Sequence, residues 1–334
     1  MTNELILTDG EQRAIGTVVG EARHRCQRAD DPGFLIDAPV IARDLPVRVQ
    51  HFLNRFRRNE TGYCLIRGHT VDDSSLGPTP GHWNALPEPS PTLGHDLLLV
   101  LYSSLLGDPF GWATQQDGRL VHDVLPIKGM ENEQLGCGSE ALLTWHTEDA
   151  FHPYRPDWVI LACLRNPDGA VTTIGTVSGL PLDPADVAIL FQPRFVILPD
   201  YSHQPGSNGA ACSADFGRIE RLRLDPPAIP LLYGDQADPY ITADPYFWRA
   251  HDDRDREARA AMQRLGAAMD AHLRGVALQP GDYCVIDNHK AVHGRRPFRA
   301  RYDGTDRWLK RICVTRDLRK SRDARSGTLS QVIS

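Results

Sequence analysis

Lysine is scarce in this chain. Of its 334 residues 37 are basic, yet only four are Lys: Lys128, Lys290, Lys310 and Lys320. Asp and Glu number 43, so the net charge is −6, which argues against a nucleic-acid partner. Paired cysteines are lacking too. The seven present (Cys26, Cys64, Cys137, Cys163, Cys212, Cys284 and Cys313) are odd in number, scattered, and form no CxxC. That excludes a thiolate zinc site and a disulfide framework, and it points to the reducing cytoplasm. Long apolar runs are missing as well. The best candidate, 97–106, is broken by Tyr102, Ser103 and Ser104 and falls short of the roughly 18 residues of a membrane helix. The opening MTNELILTDGEQR has no basic stretch before an apolar core, so no signal peptide is read. What remains is ordinary globular composition, 41% hydrophobic and 24% charged, with mean hydropathy −0.36. The surplus of Arg over Lys reads mainly as codon bias, with some Arg chosen to bind carboxylates.

The length permits two domains, but no linker is evident, and 1–334 is read as one. Thr8 to Glu11 form a capping-box pattern ahead of Ala14, Ile15, Val18, Val19, Ala22 and Cys26, an apolar stripe at helical spacing. A second helix is expected after Asp44, with Val49, Phe52, Leu53 and Phe56 inward, and 63–67 reads as a short strand. The Pro-rich 77–91 is a loop, and 97–106, apolar all round, is a buried helix. From Leu120 the pattern changes to short extended runs: 120–126, 141–147, 158–164, 171–177, 195–198 and, after a Gln-Pro-Gly-Asp turn, 283–287. One long amphipathic helix, about 253–273, interrupts them. Helices first and strands later, without βαβ alternation, predict an antiparallel sandwich or barrel wrapped by helices. The small, polar 207–213 (SNGAACS) is the candidate lid.

Three residues carry a metal signal. His146 and Glu148 are two apart, so on a strand they share a face. His293, from a distant strand, would complete a two-His, one-carboxylate set, which holds one face of an octahedron and leaves the other open. By itself an HxE is also what a hydrogen-bonded His and a solvated Glu would show in a chain with 13 His. No HExxH helix supports a zinc protease. Fourteen residues beyond His293 stands Arg307, with Arg311 four further on; on a strand both guanidinium forks project to one face. They could bind carboxylates bidentately or lie on a surface edge.

Four stretches, GWATQQDG (111–118), DVLPIKG (123–129), WHTEDAFHPYRPDWVILACLRNPDG (145–169) and IDNHKAVHGRRPFRARYDGTDRWLKR (286–311), resemble the clavaminate synthase-like Fe(II)/2-oxoglutarate oxygenases. The likeness spans about 35–322. It is densest with the hydroxylases of free arginine from peptide-antibiotic pathways of the viomycin, capreomycin and streptothricin type. It implies a mainly β fold with added helices: a double-stranded β-helix (jelly-roll) core at about 120–315, wrapped by a helical part at about 9–110 and the inserted helix. It implies Fe(II) on His146, Glu148 and His293, 2-oxoglutarate on Arg307 with Thr172, and O2 as co-substrate. For an amino-acid substrate it implies Arg311 at the carboxylate, Gln115 near the amine, Asp200, Ser202 and Asp244 at the guanidinium, and Glu148 as a further substrate contact. Read alone, Asp200 and Asp244 could be loop caps and Gln115 a turn residue. Asp287 and Asn288 read as groups that orient the His293 strand. Where the arginine hydroxylase compared carries a second Asp two residues after the position of Asp244, this chain has Tyr246. A clamp at both ends of the substrate makes C3 hydroxylation of arginine the expected activity, and the Tyr246 departure bears against it. A cyclic guanidine amino acid (enduracididine or capreomycidine), lysine, and a metal-binding jelly-roll protein without oxygenase activity stay open.

Overall fold

The computed structural model describes residues 3–208 and 216–334; of the candidate lid, 209–213 lie outside the described residues. The chain begins β1 (Glu4–Ile6), α1 (Asp9–Arg23), α2 (Pro32–Ile41), α3 (Val47–Asn59), β2 (Tyr63–Arg67), α4 (Asp73–Leu76) and α5 (Leu93–Ser104). Next come β3 (Asp108–Trp112), β4 (Val121–Val124), β5 (Leu143–His146), β6 (Trp158–Arg165), β7 (Thr172–Thr176), α6 (Pro184–Leu190) and β8 (Phe195–Ile197). Then follow α7 (Gly217–Leu224), β9 (Leu232–Asp235), β10 (Asp238–Ile241), β11 (Trp248–Ala250), α8 (Arg256–His272) and β12 (Arg274–Val276). The chain closes with β13 (Tyr283–Asp287), β14 (Ala291–Arg295), β15 (Trp308–Thr315) and β16 (Val332–Ile333).

The expected elements are present, with corrections. The Thr8 capping box is formed in both directions, and α3 buries Val49, Leu53 and Phe56. The long helix among the strands has company: α6 and α7 also interrupt them. Helix α2 starts with Pro32 and contains Pro39. A proline at the first turn costs no hydrogen bond, and Asp31 caps the Gly33 and Phe34 N–H groups, so this helix, absent from the sequence reading, starts at Pro32.

Strands β1, β2, β13, β6, β15, β3 and β16 form one sheet in that order, with β4 also paired to β15. A second sheet runs β12-β7-β14-β5. Strand parity gives the layers. On β6 and β13, Trp158, Ile160, Ala162, Tyr283 and Val285 pack with α1, α2, α3 and α5. Their alternates Val159, Leu161, Cys163, Cys284 and Ile286 join Ile174 of β7 and Ala291 of β14 in a second cluster. Both faces of these strands are covered, so they read as continuous apolar runs. Outside the second sheet, Met269 and Leu265 of α8 pack with Val292 and Trp145. Cys284 and Cys313 are buried in strands, and the described cysteines are all unpaired. Among the described residues no helix is long and apolar enough to cross a membrane.

Buried charges lie in the helix-facing layer. Lys310 of β15 is fully enclosed and meets Asp123 at 2.7 Å and Asp96 at 3.2 Å. Asp287, at the end of β13, is enclosed as well, and burial pushes its carboxyl up from 3.8 to about 6. Between pH 4 and 6 the folded chain therefore holds a proton that the unfolded chain has released. Stability from this group is greatest at low pH and is lost as pH rises through about 6. Asp287→Asn cannot ionise, so it is expected to stabilise the fold at pH 8, by up to about 3 kcal/mol, and much less at pH 5. Thermal unfolding at the two pH values tests this; an equal shift at both would assign the effect to something other than ionisation.

Candidate active site

Strand β14 lies between β5 and β7, with His293 directly opposite His146. The two imidazoles are 4.7 Å apart, centroid to centroid. Gly294 makes this approach possible: a Cβ there would come within 2.5 Å of the Leu143 carbonyl. Two residues past His146 the chain presents Glu148, buried, with Oε2 3.3 Å from His293 Nε2. Ligand atoms of His146, Glu148 and His293 all fall within 4.8 Å of one another. His146 Nδ1 faces the Thr144 carbonyl at 2.8 Å, which makes Nδ1 the protonated nitrogen and leaves the Nε2 lone pair for a metal. Burial holds His293 below the ordinary histidine value, with Glu148 opposing. Burial opposes ionisation of Glu148, but Arg311 and then His293 pull its carboxyl well below the usual range. The donor set fits a divalent iron: three ligands, one anionic, gathered on one side of a cavity.

That cavity lies between the two sheets. Arg307, Leu309 and Arg311 reach it from one sheet, and Thr172, His293 and Arg295 from the other. Arg307 is buried, and its Nε has no hydrogen-bond partner; the same holds for Thr172 Oγ1. Arg307 makes no ion pair among the described residues, and burial lowers its pKa to about 10. A buried cation beside an orphaned hydroxyl calls for a carboxylate, which suits the far end of 2-oxoglutarate. Arg295, which was not singled out from the sequence, adds a second cation. It sits opposite Thr172 in the β14–β7 register, its Nε is also unpartnered, and burial with Arg307 nearby lowers its pKa to about 10. Period-2 alternation from His293 could have found it, since i and i+2 share a face.

The other end of the cavity is acidic. Asp200, Ser202 and Asp244 line it with Tyr246 and Phe247. Neither carboxylate pairs with Lys or Arg among the described residues. Burial raises Asp244 to about 6, with His146 opposing and Asp200 adding to the rise. Ser202 donates its backbone N–H (2.8 Å) and its hydroxyl to Asp200.

Arg311 and Gln115 are more engaged with the protein than expected. Arg311 pairs with Glu148 through Nη1 and reaches Gln115 Oε1 (3.0 Å) and His122 Nδ1 (2.7 Å) through Nη2; its Nε is unpartnered. Gln115 is buried and donates to the Ser202 hydroxyl at 2.6 Å. It lines an adjoining cavity that shares Ser202 and Arg311 with the first. Sequence reading also passed over Asp149. Buried beside Glu148, it accepts from Trp112 Nε1 (2.6 Å) and His203 Nε2 (3.0 Å).

Two facing sheets enclosing two histidines, a carboxylate and an unpaired arginine make the site of a non-haem iron dioxygenase. A family model described as taurine catabolism dioxygenase TauD, TfdA family, matches residues 222–313. The chain is 44% identical to the enduracididine beta-hydroxylase of Streptomyces hygroscopicus, over 98% of this chain and 99% of that protein. It is 43% identical to the L-ornithine/L-arginine 3-hydroxylase of Catenulispora acidiphila, over 99% of each. Among solved structures, the non-heme iron oxygenase OrfP with Fe, succinate and (3S)-hydroxy-L-Arg superposes with a TM-score of 0.95 at 48% identity, covering 99% of both chains. OrfP with Fe and alpha-ketoglutaric acid gives 0.91 at 47%, covering both chains entirely. The chain belongs to the TauD/TfdA dioxygenase family, among its amino-acid hydroxylases.

Proposed function

We propose that this protein is an Fe(II)- and 2-oxoglutarate-dependent hydroxylase of free L-arginine, acting at C3 in the biosynthesis of a peptide antibiotic. The observation that carries the substrate is the unpaired acid pair Asp200 and Asp244, at one end of a cavity whose other wall presents Arg311. A guanidinium entering that end neutralises carboxylates that otherwise stand without a cation. The OrfP complexes with L-Arg and its hydroxylated product, and the arginine 3-hydroxylase, support the reading.

The roles follow from position. His146, Glu148 and His293 hold iron. Arg307 and Thr172, joined by Arg295, would hold the far carboxylate of 2-oxoglutarate. Bound iron and 2-oxoglutarate, with O2, supply the oxidising power that inserts oxygen into an unactivated C–H bond as the co-substrate loses CO2. The chain itself contributes positioning. Arg311, already oriented by Glu148 and Gln115, offers Nε to the substrate carboxylate, and Glu148 and Gln115 border the amine. Asp200, set by Ser202, and Asp244 fix the guanidinium. Clamped at both ends, the substrate presents its C3 to the metal side. On this reading the two sheets are the halves of a jelly roll, residues 1–334 act as one oxygenase domain in the cytoplasm, and the N-terminal helices and α8 brace the sheets from outside.

A second reading has support at the acidic end. Tyr246 stands where a further acid would grip a linear guanidinium, and it packs on Phe247 with centroids 4.9 Å apart. An aromatic wall with fewer charges suits a cyclic guanidine amino acid, in keeping with the likeness to the enduracididine hydroxylase. A panel of arginine, enduracididine, capreomycidine and lysine, read by mass for a +16 product, decides between them. Arginine is expected to give hydroxyarginine in step with succinate, only with Fe(II) and 2-oxoglutarate present. Equal turnover after chelation of the metal would end the oxygenase reading. Asp244→Asn is expected to raise the KM for arginine about 10- to 100-fold, the loss of a charge-assisted hydrogen bond. The KM for 2-oxoglutarate should stay within twofold; parallel loss of both would make Asp244 a structural acid.

A further inference from the structure

Glu148 lies beyond the end of β5, where the ladder to β14 no longer holds the chain. Something else must fix the ligand's backbone, and the contacts identify it. The Asn288 carboxamide accepts the Glu148 N–H at 2.7 Å and donates to the Glu148 carbonyl at 3.0 Å. It also donates to the Pro156 carbonyl at 2.9 Å. Asn288 is completely buried, and three of the four hydrogen bonds its side chain can make are in place. Its own backbone is tied at both ends: its N–H donates to the Asp157 carbonyl (2.9 Å), and its carbonyl accepts from Arg155 Nη1 (2.7 Å). Asn288 stands in the turn between β13 and β14, five residues before His293.

We propose that Asn288 is the positioning residue for the metal site, a clamp that sets the carboxylate ligand against the histidine carried by the strand that follows it. This rests on the metal reading of His146, Glu148 and His293 and adds a residue that touches neither metal nor substrate. The clamp holds both peptide groups that flank the Glu148 Cα, so it restricts the ligand's φ and ψ as well as its distance from β14. Polar groups that orient metal ligands from outside typically govern affinity by 10- to 100-fold.

The test is Mn(II) binding by the full-length metal-free protein, followed by electron paramagnetic resonance, with thermal unfolding of the same samples. Asn166 provides the control. It is buried, accepts the Ala170 N–H (2.9 Å) and donates to the Ala170 and Leu278 carbonyls (3.1 and 2.9 Å), away from the ligands. Asn288→Ala is expected to weaken Mn(II) binding about 10- to 100-fold. Asn166→Ala should lower the Tm comparably and leave Mn(II) binding within twofold. Asn288→Asp keeps the side-chain volume while turning a charged oxygen toward two carbonyls, and it should weaken the metal likewise if Asn288→Ala does not fold. Wild-type affinity in a folded Asn288 variant, or equal loss in Asn166→Ala, overturns the clamp. A wild-type chain that binds no Mn(II) overturns the oxygenase reading, and the clamp with it.

Discussion

Replacing His146 or His293 by Ala is expected to reduce turnover at least about 1000-fold, equivalent to about 4 kcal/mol of lost transition-state stabilisation. The expectation rests on geometry. The two imidazoles stand directly opposite each other on adjacent strands, and a single carboxylate completes the group. With one ring gone, two ligands remain, and they no longer define one face of an octahedron. The fold should survive. His146 is half-buried at the end of β5, and both imidazoles line the cavity, so their removal leaves the apolar layers in place. The informative measurement pairs succinate release with the Tm of the metal-free protein. Retained turnover in either variant would remove that residue from the ligand set, whereas loss of turnover together with loss of folding would leave its role structural.

The second large effect concerns Arg307. Removing one partner of a buried charged contact costs about 3–5 kcal/mol, because the remaining charge stays buried and unpaired. Arg307→Ala is therefore expected to weaken 2-oxoglutarate about 10²- to 10³-fold, with the KM for the amino acid nearly unchanged. Arg307→Lys keeps the charge but not the planar fork, so it should recover part of the affinity. The co-substrate carboxylate would otherwise meet Thr172 and Arg295. Titration with 2-oxoglutarate, followed by its metal-chelate absorption without O2, checks this. If both variants bind as tightly as the wild type, the anchor lies elsewhere, and Arg295 is the next candidate.

How much of this was legible beforehand can be judged residue by residue. Strands β6 and β13 were readable because burial on both faces leaves an apolar run flanked by turns, whereas β14 and β15 are not among the runs read. The HxE spacing suggests one face by strand parity, but β5 ends at His146, and the turn beyond it brings Glu148 to the same side. That His293 joins them depends on a pairing between β5 and β14, nearly 150 positions apart, which local pattern does not encode. The resemblance supplied it. Helix α2 was obscured by its prolines, and α6 and α7 are too short to show a clear period. The site's interior connections were also hidden. Arg311 was assigned to a substrate carboxylate, but its fork is largely held by Glu148, Gln115 and His122. Those contacts are tertiary and carry no spacing signal. Asn288 reads as a strand-orienting residue, and the grip of its amide on Glu148 is a tertiary contact with no spacing signal.

Strand β15 shows how closely folding and chemistry are linked here. Arg307, Leu309 and Arg311 point into the cavity, while Trp308 and Lys310 point the opposite way, where Lys310 meets Asp96 and Asp123. Cations thus occupy both faces of one strand, Arg311 matched to Glu148 and Lys310 to Asp96 and Asp123. A slip of one residue would exchange the faces. Lys310 would enter the cavity, and Arg311 would be pressed among the helices. Two acids would be left without their lysine and Glu148 without its arginine, each a deeply buried charge unbalanced. The charge pattern that arms the catalytic pocket therefore also acts as a threading check: a chain that has assembled this strand out of register is penalised on both sides at once.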